Sequence, residues 1–450
     1  MHKVKFIDLF AGLGGIRLGF EKTFQELGFE TKCVMTSEIK PYAIKTLNKN
    51  FNNENNVGDI FNVKNEIIPE FDFLLAGFPC QPFSTSGKRQ GFLDTRGTLF
   101  FEIERILREK NPYGFILENV EGLVKHDLEN KDDEIGQTLF TILETLRSEL
   151  DYKVSWKVLD SVEFGLPQSR KRIFIVGTKD EKVNLDINFG ESKFSVLKEI
   201  LDNGLKTLQT DFTKKLLGHF KIEMLYGKSI KDKRGGKNNI HSWDIGMKGE
   251  VSNEQILLLN KLFKERRKKH WAEEIGIDWM DGMTLTFSQI ETFHKVNHLK
   301  LLLDDLVTKG YLKFEHPKKL VKEITESGIK KYRTYDKAKP KGYNIVTGKL
   351  SFEINKILDP NGIAPTLVAT DISRLAVPDG NGLRRLTIRE GLRLFGYPEW
   401  YEISAKESEA FDLLGNTVAI PVVEHVVNRL AEIYQRNLIY STSSKIPVCS

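Results

Sequence analysis

Cysteine is scarce in this chain: only Cys33, Cys80 and Cys449 occur among 450 residues. They lie far apart, without Cys-x-x-Cys spacing, which argues against a disulfide framework or a thiolate zinc site and for a reducing compartment. Long apolar runs are also missing. No stretch approaches the roughly 18 residues of a membrane span, and Met1-His2-Lys3-Val4-Lys5 leads into a strand-like run, not a signal peptide. A cytosolic chain is expected. Internal repeats, low-complexity segments and collagen-like or disordered bias are absent, and the length allows two domains, each with its own core. Net charge is only +5, but it is unevenly spread. Lys261–Lys349 holds 20 Lys/Arg against 12 Asp/Glu, with a dense cluster at Arg266-Arg267-Lys268-Lys269-His270-Trp271 and another at Lys337–Lys341. Such a region suits phosphate contacts, and equally a solvated lysine-rich face.

What is present is a strand–helix alternation over the first 180 or so residues. Strands are expected at Val4–Leu9, Thr31–Thr36, Phe71–Ala76, Phe115–Leu117, Tyr152–Leu159 and Arg172–Val176. Helices are expected at Ile16–Leu27, Pro41–Asn48, Leu99–Glu109 and Gly136–Leu150. This order indicates an α/β fold with a doubly wound sheet. From about 180 to 380 the alternation gives way to lysine-rich loops. Within them Phe287–Lys309 reads as mostly helical and is followed by the strand-like Tyr311–Phe314, which fits a winged helix near 284–316 or a plain helical subdomain. Apolar, well-punctuated sequence returns at Arg384–Tyr397 and Leu413–Val423, so a C-terminal helix is expected to dock onto the first domain. The resulting division is 1–180, an inserted 181–384, and 385–450 returning to the first domain, with a cleft between two lobes.

Several strand ends carry chemistry. Phe6–Ile16 is a strand, a glycine-rich turn and a helix start, with the order Gly12-x-Gly14-Gly15-x-x-x-Gly19, a departure from the dinucleotide fingerprint. Glu38, ending the second strand, is placed to bind ribose hydroxyls, and Asp59 to meet an adenine amino group. Cys80 stands between Pro79 and Pro82, in a loop stiffened on both sides, directly after an apolar strand; it reads as a nucleophile or as a small buried hydrophobe. Glu118 follows the strand Phe115–Leu117 and can move a proton if burial raises its pKa, or it is a capping or surface glutamate. Gln168-Ser169-Arg170-Lys171-Arg172 precedes another strand. Alternation puts Arg170 and Arg172 on one face, a pair that suits a phosphate or a developing anion.

This ordered set resembles the C5-cytosine DNA methyltransferases. The resemblance covers residues 4–177 and about 384–425. It rests on Asp8–Gly15, Pro79-Cys80-Gln81, Glu118-Asn119-Val120, Gln168–Arg172, Arg385-Leu386-Thr387-Ile388-Arg389-Glu390 and Gly415-Asn416-Thr417-Val418. It implies a Rossmann-like, S-adenosylmethionine-dependent methyltransferase domain with a smaller inserted target-recognition domain. It implies methyl transfer to C5 of a cytosine extruded from a short specific duplex DNA sequence, with S-adenosylhomocysteine as product and no metal. The catalytic residues so implied are Cys80, Glu118, Arg170 and Arg172. The cofactor residues are Phe10, Leu13, Gly15, Glu38, Ile39, Asp59, Ile60, Pro79 and Asn416. DNA contacts fall to Gln81, Ser84, Arg96 and Gln168, with Ser84–Gly97 as the loop closing over the base. A monomeric, cytoplasmic prokaryotic modification enzyme follows from the resemblance, with a restriction endonuclease as a functional partner only. The rivals are a tRNA cytosine-5 methyltransferase and a DNA-binding protein that has lost catalysis. Intact Cys80, Glu118 and Arg170 argue against the latter.

Overall fold

The computed structural model describes residues 3–51, 55–78, 98–130, 132–186, 195–232, 238–325, 328–347 and 352–443. The chain divides into two compact units: Met1–Asp202 with Pro360–Ser373 and Leu386–Ser450, and Asn203–Asp359 with Arg374–Arg385.

The first unit opens with β1 (Lys3–Leu9), α1 (Gly15–Glu26), β2 (Glu30–Ser37), α2 (Pro41–Asn50) and β3 (Phe73–Gly77). It continues with α3 (Thr98–Lys110), β4 (Gly114–Val120), α4 (Gln137–Glu144), β5 (Lys153–Asp160) and β6 (Lys171–Thr178). The sheet order is β2-β1-β3-β4-β6-β5. β1 to β4 are mutually parallel where they pair, and β6 runs antiparallel to both β4 and β5. The central strands are apolar on both faces, as strands covered by helices on each side must be. Leu74 and Ala76 of β3 pack with Ile103 and Ile106 of α3 and Ile142 of α4. Phe73 and Leu75 pack on the other face with Phe20 and Phe24 of α1. The helix expected over Gly136–Leu150 is α4 followed by a π turn at Thr145–Glu149.

The second unit contains α5 (Asp211–His219), β7 (Ser229–Ile230), β8 (Asn239–Ile240), α6 (Asn253–Glu265), α7 (His270–Glu274), α8 (Phe287–Phe293) and α9 (Leu299–Thr308). They are followed by β9 (Leu312–Glu315), β10 (Lys318–Thr325), β11 (Gly328–Tyr335), β12 (Gly342–Ile345), β13 (Lys356–Ile357), β14 (Leu375–Asp379) and β15 (Gly382–Arg385). A five-stranded sheet, β15-β14-β13-β7-β8, shares a small core with α5, while the other helices enclose a second core around Trp243, Leu258, Leu262 and Leu303. The expected helix over Phe287–Lys309 is two helices: Thr286 caps α8 through the Gln289 N–H, and His294 leaves helical geometry at its end. Lysine-rich sequence expected as loop forms the hairpin β10–β11.

The chain returns to the first unit through α10 (Ile388–Leu394), α11 (Glu407–Asn416) and α12 (Ile420–Ser443). Val423, Val426 and Leu430 of α12 complete the core beneath α1. Glu407–Ile439 is long and apolar enough to pass for a membrane span, against the expectation of none, and two-thirds of that apolar window (67%) is buried in the protein. The unit boundaries differ from 181 and 384. Residues up to Asp202 and Pro360–Ser373 belong with the first unit, tied by Leu197 N–H to the Gly362 carbonyl and by Ser169 N–H to the Ala364 carbonyl.

Candidate active site

The C-terminal ends of β1 to β4 line one rim of the first unit's sheet, where ligands bind in open α/β folds. β1 runs into a turn in which Gly12 and Gly14 have φ of 55° and 65°, a region costly for residues with a Cβ. Gly15 then starts α1 under the C-terminal segment. A Cβ there would meet the Tyr397 hydroxyl at 2.7 Å and Val418 Cγ2 at 2.8 Å. Leu13 and Gly15 are themselves buried, and the Leu13 carbonyl accepts the Tyr401 hydroxyl.

Glu38, just past β2, organises this rim. Its Oε2 accepts the Gly12 N–H at 2.8 Å, and its Oε1 accepts the N–H groups of Ile39 and Lys40, each at 2.8 Å. A carboxylate has about four acceptor positions, so roughly one remains for a ribose hydroxyl. Ile39 is 66% exposed and Asp59 is open to solvent. Ile60, expected at the cofactor, is 1% exposed and packs in the core with Met35 and Val63. Asp59 caps a short 3-10 turn that points Ile60 inward and leaves Phe61 as the exposed apolar side chain beside it. Asn416 is exposed, and its amide donates to Asp412, whose carboxylate also accepts Lys40 Nζ at 2.6 Å and the Tyr42 hydroxyl at 2.8 Å. Asp412 thus ties the Gly415–Val418 motif to the start of α2.

Asp8 lies beneath the turn, fully buried, with no hydrogen-bond partner for Oδ2 among the described residues. Burial pushes its carboxyl up to about 7, against the pull of Arg17 and with help from Glu21 and Glu38. The native state therefore binds a proton that the unfolded chain releases near the ordinary value of 3.8. The stability this contributes is complete below that value and is lost as pH rises to about 7, on the order of 4 kcal/mol. Asp8→Asn should flatten this part of the stability profile; denaturant unfolding from pH 4 to 8 measures it, and an unchanged profile would refute the assignment.

Glu118 occupies the matching position on β4, register-paired with Gly77 at the end of β3. A Cβ on Gly77 would lie 3.5 Å from Glu118 Oε2, in ordinary van der Waals contact. Arg172 Nε stands 3.1 Å from Glu118 Oε1. Burial raises the Glu118 pKa, and the charges of Arg172 and Arg170 oppose the rise. A carboxyl so balanced can hold or release a proton. Asn119, given no separate role in the sequence reading, donates from Nδ2 to the Phe78 carbonyl at 3.3 Å and so fixes the start of the loop after β3.

Arg172 lies in β6 and Arg170 one residue before it, and the charges of both act on Glu118. The Arg170 guanidinium is buried and donates to the carbonyls of Leu367 (3.1 Å), Gly415 (3.0 Å) and Thr417 (2.7 Å). Gln168, expected on DNA, is fully buried: its amide donates to the Leu394 carbonyl at 3.0 Å and accepts the Leu367 N–H at 3.1 Å. Both residues clamp the Gln168–Arg172 segment to the C-terminal one. Phe10 is half-buried at the turn. Pro79, Cys80, Gln81, Ser84 and Arg96 lie outside the described residues, as does Cys449. Cys33 is no rival nucleophile, since burial pushes its thiol up to about 11. Among the described residues no group of three or more His, Cys, Asp or Glu is arranged to hold a metal.

A Rossmann-like sheet with these groups on one rim defines the class of S-adenosylmethionine-dependent methyltransferase folds. Residues 4–432 match the C-5 cytosine-specific DNA methylase family. The chain belongs to that family, and it is a DNA (cytosine-5)-methyltransferase. It is 57% identical over 430 residues to the Type II methyltransferase M.NlaIV of Neisseria lactamica, covering 96% of this chain and 99% of the relative. It is 40% identical over 459 residues to M.BanI of Aneurinibacillus aneurinilyticus, covering 97% of each. The fold is shared with the Entamoeba histolytica methyltransferase EhMeth at 15% identity and a TM-score of 0.52, covering 96% of this chain and 99% of the other.

Proposed function

We propose that this chain transfers a methyl group from S-adenosylmethionine to a cytosine flipped out of a specific duplex DNA sequence. In the cell it would act in the cytoplasm as the modification half of a restriction-modification pair. The full-length likeness to Type II methyltransferases supports that setting. One observation carries the chemistry: a buried carboxyl, Glu118, register-paired with Gly77, which Cys80 follows by three residues in the chain.

The donor set suits a nucleoside sulfonium. Glu38 retains acceptor capacity for ribose hydroxyls, Asp59 offers an exposed carboxylate for an adenine amine, and Ile39 and Phe61 offer apolar surface for the base. When bound, the donor supplies an electrophilic methyl group with a neutral thioether as leaving group. Cytosine C5 is too poor a nucleophile to take it unaided. The Cys80 thiolate forms a bond to C6, and the C5–C6 π pair moves toward C5 and N3, where Glu118 holds a proton against the developing charge. After C5 is methylated, loss of its proton returns the pair to C5–C6 and expels the thiolate. Arg172 holds the Glu118 carboxyl in place, and Arg170 braces the segment that carries Arg172.

Glu118→Gln keeps the shape and removes the titration. Methyl transfer should fall about 10²–10⁴-fold with binding of the methyl donor unchanged, and the part of the pH–rate profile due to Glu118 should disappear. A rate within a few-fold of wild type would remove Glu118 from the chemistry. For the function itself, purified protein and labelled S-adenosylmethionine are incubated with mixed-sequence duplex DNA or with tRNA, and bisulfite sequencing maps the products. Label confined to cytosines of one short DNA motif is the expected result. Label in tRNA alone would overturn the reading.

A further inference from the structure

The second unit bears a charged surface that the chemistry above does not use. β10 and β11 form an antiparallel ribbon of eight residues per strand, paired with no third strand among the described residues. Isolated two-stranded hairpins are marginal in water, so its root needs support. Glu315 supplies it, accepting the Tyr335 hydroxyl at 2.8 Å, Asn344 Nδ2 at 3.0 Å and Lys313 Nζ at 2.8 Å, while the Asp336 N–H donates to the Pro317 carbonyl. The Glu315 carboxylate is thus occupied at the base, while Glu323 of β10 falls on the opposite face, paired with Lys330.

Beyond the root the register sets Lys318 opposite Tyr335, Leu320 opposite Arg333 and Lys322 opposite Lys331. Alternation places these six side chains on one face, with four cations and no carboxylate among them. Lys322, Lys331 and Arg333 are exposed and pair with no described carboxylate. Like charges directly opposite each other destabilise a hairpin, so the Lys322–Lys331 pair is a standing cost unless an anion settles between them. The ribbon is inserted between β9 and β12, which pair with each other, and Leu285 bridges to Tyr343 just before α8. Helix, bridge, two helices, strand, ribbon, strand is the order of a winged helix, with the ribbon as its wing.

We propose that the Lys318–Lys322–Lys331–Arg333 face of this ribbon grips the phosphate backbone of the DNA substrate, positioning the duplex without reading its bases. The proposal rests on the DNA methyltransferase reading and deepens it. At about 3.4 Å per residue the ribbon extends roughly 27 Å, longer than the ~12 Å width of the major groove. It can therefore lie along one phosphate wall and reach the other. Phosphate contacts of this kind carry affinity and salt dependence but no sequence information.

The test uses the full chain carrying Lys322→Ala, Lys331→Ala and Arg333→Ala together, with Lys319→Ala on the opposite face as control. Dissociation constants for duplexes of several sequences are measured from 50 to 300 mM salt, alongside methylation kinetics. Each lost phosphate contact should reduce the slope of log affinity against log salt by about 0.9. The triple variant should lose two to three in slope and bind all sequences roughly 10–100-fold more weakly near 0.15 M salt. KM for DNA should rise with kcat at saturating DNA unchanged, while donor binding and melting temperature hold, and arginine at the three positions should restore binding. An unchanged salt slope would overturn the proposal, as would a loss confined to one sequence, which marks base reading. Wild-type methylation of DNA in the same assay keeps the two failures apart: without it the functional reading falls, with it only the ribbon does.

Discussion

Cys80→Ala is expected to lower methyl transfer by at least about 10⁴-fold while leaving binding of both DNA and the methyl donor within a few-fold of wild type. Without a bond to C6 the cytosine ring offers no electron-rich C5. Among the described residues Cys33 is the only other thiol, and it stays protonated at neutral pH because burial holds it near 11. Cys80→Ser should be nearly as inactive, since a hydroxyl lacks the thiolate population of a cysteine at neutral pH. Rates from single-turnover assays with saturating DNA separate this from a binding defect. Residual activity above about 1% in the alanine variant would remove Cys80 from the bond-forming step.

Arg170→Ala should act on stability before it acts on chemistry. Its guanidinium is the donor for the Leu367, Gly415 and Thr417 carbonyls and lies 5.1 Å from the Phe395 ring centroid. Truncation strands three backbone acceptors, at about 1–3 kcal/mol for each one left unsatisfied in the interior. A loss of about 3–5 kcal/mol is expected, with a melting midpoint lower by roughly 10 °C. Arg170→Lys should recover only part, because one ammonium cannot match a planar fork serving three carbonyls. Denaturant and thermal unfolding measure this directly. Full stability with lost activity would make Arg170 a participant in catalysis and not a clamp.

The catalytic sheet was readable because its strands obey local rules: Phe73–Ala76 is buried on both faces, so a short apolar run marks it without help from distant sequence. Glu38 and Glu118 were readable for the same reason, as carboxyls at strand ends. What escaped depends on partners remote in sequence. Gln168 was expected on DNA and Arg170 at the reacting base, yet their hydrogen-bond partners at Leu367, Leu394, Gly415 and Thr417 lie about 200 residues or more away. That Ile60 is buried and Phe61 exposed was likewise hidden, because a single 3-10 turn sets their directions. The ribbon Lys318–Tyr335 was hidden by lysines on both faces, which erase the apolar–polar alternation that ordinarily marks a hairpin.

The most direct test of the account replaces the target cytosine in a duplex with 5-fluorocytosine. Fluorine at C5 cannot leave as a proton, so a thiolate bonded to C6 stays bonded once the methyl group has been transferred. With the methyl donor present, the account predicts a denaturation-resistant protein–DNA adduct whose mass includes one methyl group and which peptide mapping places on Cys80. Efficient methylation of ordinary duplex with no adduct on the fluorinated one, or an adduct mapped to another residue, would contradict it.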